Sequence, residues 1–160
     1  MRLRLPDPEA TDRFGAVLAA TRPGRAVVHL RGDLGAGKST LARALLRSLG
    51  VQGAIRSPTY TLVERYPLPA GDDALHLDLY RIGDPGELEY LGLDPAEGAL
   101  WLVEWPERGI GSLPPADLDI ALALDGSGRV ADLVAGTPVG ESWRALLVEH
   151  PDLQTFHDPV

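Results

Sequence analysis

Cysteine and asparagine are missing from this chain of 160 residues, methionine occurs only at position 1 and lysine only at position 38. Without cysteine there is no disulfide framework and no thiolate metal site. No apolar run approaches the roughly 18 residues that a membrane helix needs. The start offers no secretory leader either, because Met1-Arg2-Leu3-Arg4-Leu5 runs into Pro6-Asp7-Pro8-Glu9 and not into an apolar stretch. A cytoplasmic protein is the simplest expectation. Basic residues are outnumbered, 15 to 23, for a net charge of −8. With no lysine or arginine cluster, such a chain is repelled by phosphate backbones, which argues against direct, tight nucleic-acid binding. Scarce asparagine and methionine fit a heat-adapted protein, but enrichment in lysine is the usual mark of one. Codon preference for Arg, Ala, Gly and Pro is the simpler account. Neither an internal repeat nor a low-complexity linker divides the chain, so one domain over residues 1–160 is expected, with a loosely ordered tail from about 151.

The one lysine stands in Gly32-Asp33-Leu34-Gly35-Ala36-Gly37-Lys38-Ser39, which satisfies the phosphate-loop pattern G-x-x-x-x-G-K-[ST] in full. A compact ammonium threads such a loop where a broad guanidinium collides, so a chain that otherwise writes arginine has kept lysine there. The glycines let successive backbone N–H groups form an anion nest, and the following helix adds its positive end. Its context fits. Ala26-Val27-Val28-His29-Leu30 is a short apolar run suited to a buried parallel strand. Leu41, Leu45 and Leu49 mark one helix face, ended by Gly50.

Further elements follow from local signals. Asp7-Pro8-Glu9 starts a helix carrying Phe14, Val17 and Leu18 at helical spacing. Ser57-Pro58-Thr59-Tyr60 opens a strand to about Tyr66. From Ala74 to Tyr80 the alternation is strict, with Leu75, Leu77 and Leu79 on one face and His76, Asp78 and Tyr80 on the other. Asp84-Pro85-Gly86-Glu87 begins a short helix. Ala99–Glu104 is a second apolar strand, weaker strands lie near 118–124 and 130–134, and 142–149 is a helix. These elements predict a three-layer α/β fold with a mainly parallel sheet and the phosphate loop at its carboxyl edge.

A phosphate loop needs a second, acidic magnesium position at the end of a neighbouring strand. Leu100-Trp101-Leu102-Val103-Glu104 supplies it, although a glutamate after a buried strand can also be a plain surface residue. Ser39 offers a hydroxyl to the same cation. Trp105 could lie against a nucleotide or simply pack. Asp78 could orient water or bind magnesium in the outer shell, or face solvent. His76 reads as a hydrogen-bonded structural residue. Thr59, after Pro58, occupies a place where nucleotide switches hold a γ-phosphate sensor, and equally suits an ordinary turn.

Together with Thr61-Leu62-Val63-Glu64, His76-Leu77-Asp78-Leu79-Tyr80-Arg81, Glu87-Leu88-Glu89 and Val103-Glu104-Trp105-Pro106-Glu107, these motifs resemble the TsaE (YjeE) family in order and spacing, from about residue 7 to about 110. The resemblance implies a P-loop ATPase that binds ATP and ADP with Mg²⁺, hydrolyses ATP slowly alone, and works with TsaD and TsaB in threonylcarbamoyladenosine modification of tRNAs reading ANN codons, meeting tRNA only indirectly. By motif position Leu34, Gly35, Ala36, Gly37, Lys38 and Ser39 would bind phosphates, with Thr40 at the α-phosphate. Ser39 and Glu104 would hold Mg²⁺, Asp78, Glu104 and Lys38 would serve catalysis, Thr59 and Trp105 would lie at the switch and nucleotide edge, and Pro8 to Thr11 near adenine. Position 39 departs from the commoner threonine but keeps the hydroxyl. No arginine is obviously placed as a finger in cis, though Arg56 and Arg81 adjoin two motifs, so a partner is expected to complete the site. The competing readings are a small-molecule P-loop kinase, for which no lid with paired arginines is evident, and a nucleotide-sensing adaptor whose hydrolysis is immaterial. A GTPase fits less well, since the Asn-Lys-x-Asp guanine reader cannot be written without asparagine.

Overall fold

The computed structural model describes every residue except Pro95 and Val160. Its elements are β1 (Arg2–Leu5), α1 (Pro8–Thr21), β2 (Ala26–Arg31), α2 (Lys38–Ser48), β3 (Val63–Pro67), β4 (Asp73–Asp78), β5 (Leu100–Glu104), β6 (Leu118–Asp125), β7 (Gly128–Ala135) and α3 (Pro138–Glu149), with 3-10 turns at Pro85–Leu91, Pro106–Gly109 and Pro151–Phe156. Among the described residues the strands form one seven-stranded sheet in the order β1-β7-β6-β2-β5-β4-β3. The central strands β6, β2, β5 and β4 run parallel. β1, β7 and β3 join antiparallel at the flanks.

Period-two alternation sorts the side chains. Ala26, Val28, Leu30, Leu100, Leu102, Leu118 and Ile120 face one way, under α1, α2, α3 and the last 3-10 turn, and make the larger core. Val27, Leu75, Leu77, Leu79, Trp101 and Val103 face the other way, and Ile82 and Leu88 cover them from a thin layer of loop and 3-10 turn. The three layers are thus unequal. Asp7 caps α1 by accepting from the Ala10 N–H at 2.8 Å. Gly15 lets α1 close on α2, since a Cβ there would lie 2.6 Å from that of Ala44.

Four expectations change. The strand expected from Ser57 begins only at Val63: Pro58 has no N–H to give a ladder, and residues 58–62 turn instead, with Leu62 at φ 68°. The short helix after Asp84 is 3-10, not α. α3 starts at Pro138, ahead of position 142, because Thr137 caps it by accepting from the Gly140 N–H. Residues 151–157 are not a loose tail: Leu153 and Phe156 are buried in the larger core, and Leu3 bridges to His157. The two apolar anchors outweigh the polar residues around them. β1 was not anticipated; its Leu3 and Leu5 point into the core while Arg2 and Arg4 point out.

Candidate functional site

The sheet order brings distant residues to one edge. β2, β5 and β4 are parallel, so Arg31, Glu104 and Asp78 end at the same side, and the loop from Gly32 to Gly37 leaves there to start α2. Gly32, Gly35 and Gly37 have φ of 140°, 81° and 108°, values that only glycine adopts freely, and a Cβ at Gly32 would strike the Leu122 carbonyl. The loop and the strand ends enclose a cavity of about 260 Å³.

Leu34, Gly35, Gly37, Lys38, Ser39, Thr40, Thr59 and Trp105 all reach this cavity, together with Asp78 and Glu104. Ala36 does not; its side chain is buried in the larger core, and its N–H donates to the Asp33 carbonyl. Pro8 and Thr11 line a neighbouring cavity of about 170 Å³, which shares Gly37 and Thr40 with the first. Arg56 and Arg81 line neither cavity; the Arg81 guanidinium sits 4.4 Å over the Tyr60 ring.

Lys38 donates to the Gly32 and Asp33 carbonyls at 2.6 and 2.9 Å, with its ammonium 4.5 Å above the Trp105 ring. Burial lowers its pKa, and the Glu104 and Asp78 carboxylates pull it back up. Trp105 holds a left-handed conformation, φ 56°, which turns the chain sharply after β5.

Glu104 is no surface residue: it is 2 % exposed. Ser39 donates to its Oε1 at 2.8 Å and His76 Nε2 to its Oε2 at 2.6 Å. Both carboxylate oxygens are thereby fixed. His76 sits diagonally across the β4–β5 ladder from Glu104, a pairing set by strand register and invisible to motif reading. Asp78 is also buried, at 5 %, which removes the solvated-face alternative. Its Oδ1 accepts from the Tyr80 N–H at 3.0 Å and its Oδ2 from the Thr59 hydroxyl at 3.2 Å. The Asp78 N–H in turn donates to the Leu62 carbonyl, so the 58–62 turn is tied to Asp78 at two points.

Ser39 and Glu104 present hard oxygen donors side by side, a set that fits magnesium, which takes few protein ligands and fills its shell with water and phosphate. Sequence reasoning missed Arg129 as well as the His76 contact. Arg129 is the second residue of β7 and lies over the phosphate loop.

The model of the family described as "Threonylcarbamoyl adenosine biosynthesis protein TsaE" matches residues 5–130. The chain is 41 % identical over 145 residues to the tRNA threonylcarbamoyladenosine biosynthesis protein TsaE of Haemophilus influenzae, covering 86 % of this chain and 91 % of that one. With the Bacillus subtilis protein of the same name it shares 34 % over 156 residues, 93 % and 92 % of the two chains. The crystal structure of Bacillus subtilis YdiB superposes with a TM-score of 0.69 at 29 % identity, over 93 % of this chain and 92 % of that one. The chain belongs to the TsaE family of tRNA threonylcarbamoyladenosine biosynthesis proteins.

Proposed function

We propose that this protein is a magnesium-dependent ATPase that supports TsaD and TsaB in the threonylcarbamoyladenosine modification of tRNAs reading ANN codons, in the cytoplasm. The observation that carries the reading is the meeting of Lys38, Ser39, Glu104 and Asp78 around one cavity at the carboxyl edge of the parallel strands. In this reading the N–H groups of the loop and Lys38 hold the β- and γ-phosphates, and Thr40 reaches the α-phosphate. Ser39 and Glu104 would hold Mg²⁺, which would supply positive charge against the phosphate oxygens. His76 keeps the Glu104 carboxylate turned toward Ser39. Asp78 orients or deprotonates the attacking water, and Thr59, already bonded to Asp78, reports the state of the γ-phosphate to the 58–62 turn. Trp105 closes the nucleotide edge, and Pro8 and Thr11 border the base.

The test is phosphate release from ATP and Mg²⁺, with and without purified TsaD and TsaB plus tRNA, beside a Glu104→Ala variant. The expected result is stimulation by the partners that the variant loses. Turnover indifferent to the partners sinks the reading and directs attention to phosphoryl transfer onto an acceptor.

A further inference from the structure

Between α2 and β3 the chain has little to hold it. Among the described residues, positions 52–57 make no backbone–backbone hydrogen bond. The one side chain that bonds their backbone is Tyr66. Its hydroxyl accepts from the Arg56 N–H at 3.0 Å and donates to the Arg56 carbonyl at 3.2 Å. A single phenol oxygen thus does for Arg56 what a neighbouring strand does for a paired residue, taking its donor and its acceptor together. Tyr66 is itself fixed. It pairs with Ala74 across the β3–β4 ladder, and it is buried in the larger core, against which Ile55 also packs.

The clamp lies just ahead of Thr59, and the chain between them is stiff. Pro58 is buried, sets its own φ and keeps Ser57 extended. The Ser57 and Thr59 hydroxyls lie 2.8 Å apart on either side of it. Thr59 then donates to Asp78 Oδ2 at 3.2 Å, long for a bond between oxygens, and the Asp78 N–H holds the Leu62 carbonyl. The turn is therefore hung between two anchors of different kinds. Thr59 and Asp78 line the phosphate-loop cavity, where a ligand can compete for their bond, whereas Tyr66 lines neither that cavity nor the one beside Pro8 and Thr11.

We propose that Tyr66 is a positioning residue for ATP hydrolysis: by clamping the Arg56 backbone it provides the fixed pivot that sets Thr59 against Asp78 and the γ-phosphate. This rests on the ATPase reading above. Phenylalanine at position 66 keeps the ring in the core. Arg56 is exposed, so its freed backbone groups can turn to water. Loss of the hydroxyl thus slackens the turn and leaves the phosphate loop untouched.

The test is single-turnover hydrolysis of ATP with Mg²⁺ by the wild type, Tyr66→Phe, Thr59→Val and the double variant, beside calorimetric titration of ADP into each. Tyr66→Phe is expected to hydrolyse roughly tenfold more slowly while binding ADP within about twofold of wild type. The double variant is expected to be no slower than Thr59→Val alone, because Tyr66 acts through Thr59. A Tyr66→Phe protein as fast as wild type overturns the proposal, and so does a Thr59→Val protein that keeps full activity. A double variant that loses the product of the two single effects makes the residues independent. ADP affinity falling in step with turnover makes Tyr66 a support of the whole site and nothing more specific. A wild type that hydrolyses no ATP, alone or with TsaD, TsaB and tRNA, removes the ATPase reading itself; every other result requires an active wild type, so the two failures are told apart. Should Tyr66→Phe fail to fold, hydrogen exchange in the wild type decides: the Arg56 amide must exchange more slowly than that of Ala54, and parity counts against the clamp.

Discussion

At the scale of single residues, the buried pair of His76 and Glu104 makes the sharpest demand on energetics. Both residues are 2 % exposed, and the carboxylate has its oxygens taken by His76 and Ser39. Among the described residues His76 Nδ1 has no partner, so the neutral ring with its proton on Nε2 is the form that leaves only a lone pair unsatisfied. Replacing His76 by leucine strands Glu104 Oε2 away from water and should cost about 1–3 kcal/mol. His76→Gln, which keeps a donor, should recover part of this. The double variant His76→Leu/Glu104→Leu should be closer to wild type than the single one, because it removes both polar partners and leaves no buried charge; Ser39 is half-buried and can turn to water. Urea midpoints of the three variants check this ordering. A double variant less stable than His76→Leu would show that the pair stabilises the fold in its own right.

At the scale of elements, the residues after α3 decide how the sheet's far edge is held. The exposed Arg4–Asp158 bond lowers the Asp158 pKa, yet a pair so open to solvent contributes little. Leu153, fully buried with Phe156 in the larger core, is the anchor. Leu153→Ala should therefore cost about 2–5 kcal/mol, while Asp158→Asn leaves the urea midpoint where it was. The reverse ranking would make the ion pair the clamp. These elements also show where reading by sequence stops. β2 and β5 are continuous apolar runs and β4 alternates, so their patterns carry them. β1 alternates too, but over only four residues, and its pairing with β7 is more than a hundred residues away. The 3-10 turn at Pro151–Phe156 has just two buried residues, too few to make a period. The phosphate loop, Asp78 and Glu104 were legible because each is tied to a motif or to the end of an apolar run. The His76–Glu104 contact depends on strand register, and Arg129 on a hairpin returning to the loop, so neither leaves a local trace.

At the scale of the whole molecule, charge sets how the protein can meet tRNA. The net charge is −8, and six of the arginines are already engaged by carboxylates. Lys38 is buried inside the phosphate loop and Arg129 lies over it, so neither offers its charge to an RNA backbone on the outer surface. Neutralising several phosphates at once is what gives non-specific nucleic-acid binding its strength, and it needs cations free to displace counterions. A protein of this charge should work on tRNA through its partners. Fluorescence anisotropy of labelled tRNA at about 0.15 M salt should therefore show no saturable binding by the isolated protein, at concentrations where basic proteins bind non-specifically, about 1–100 μM. Addition of TsaD and TsaB should bring the protein onto the tRNA without steepening the salt dependence, since the phosphate contacts would belong to the partners. Direct binding below about a micromolar, falling steeply with salt, would instead require a basic face assembled from the remaining arginines, and the indirect route would have to be abandoned.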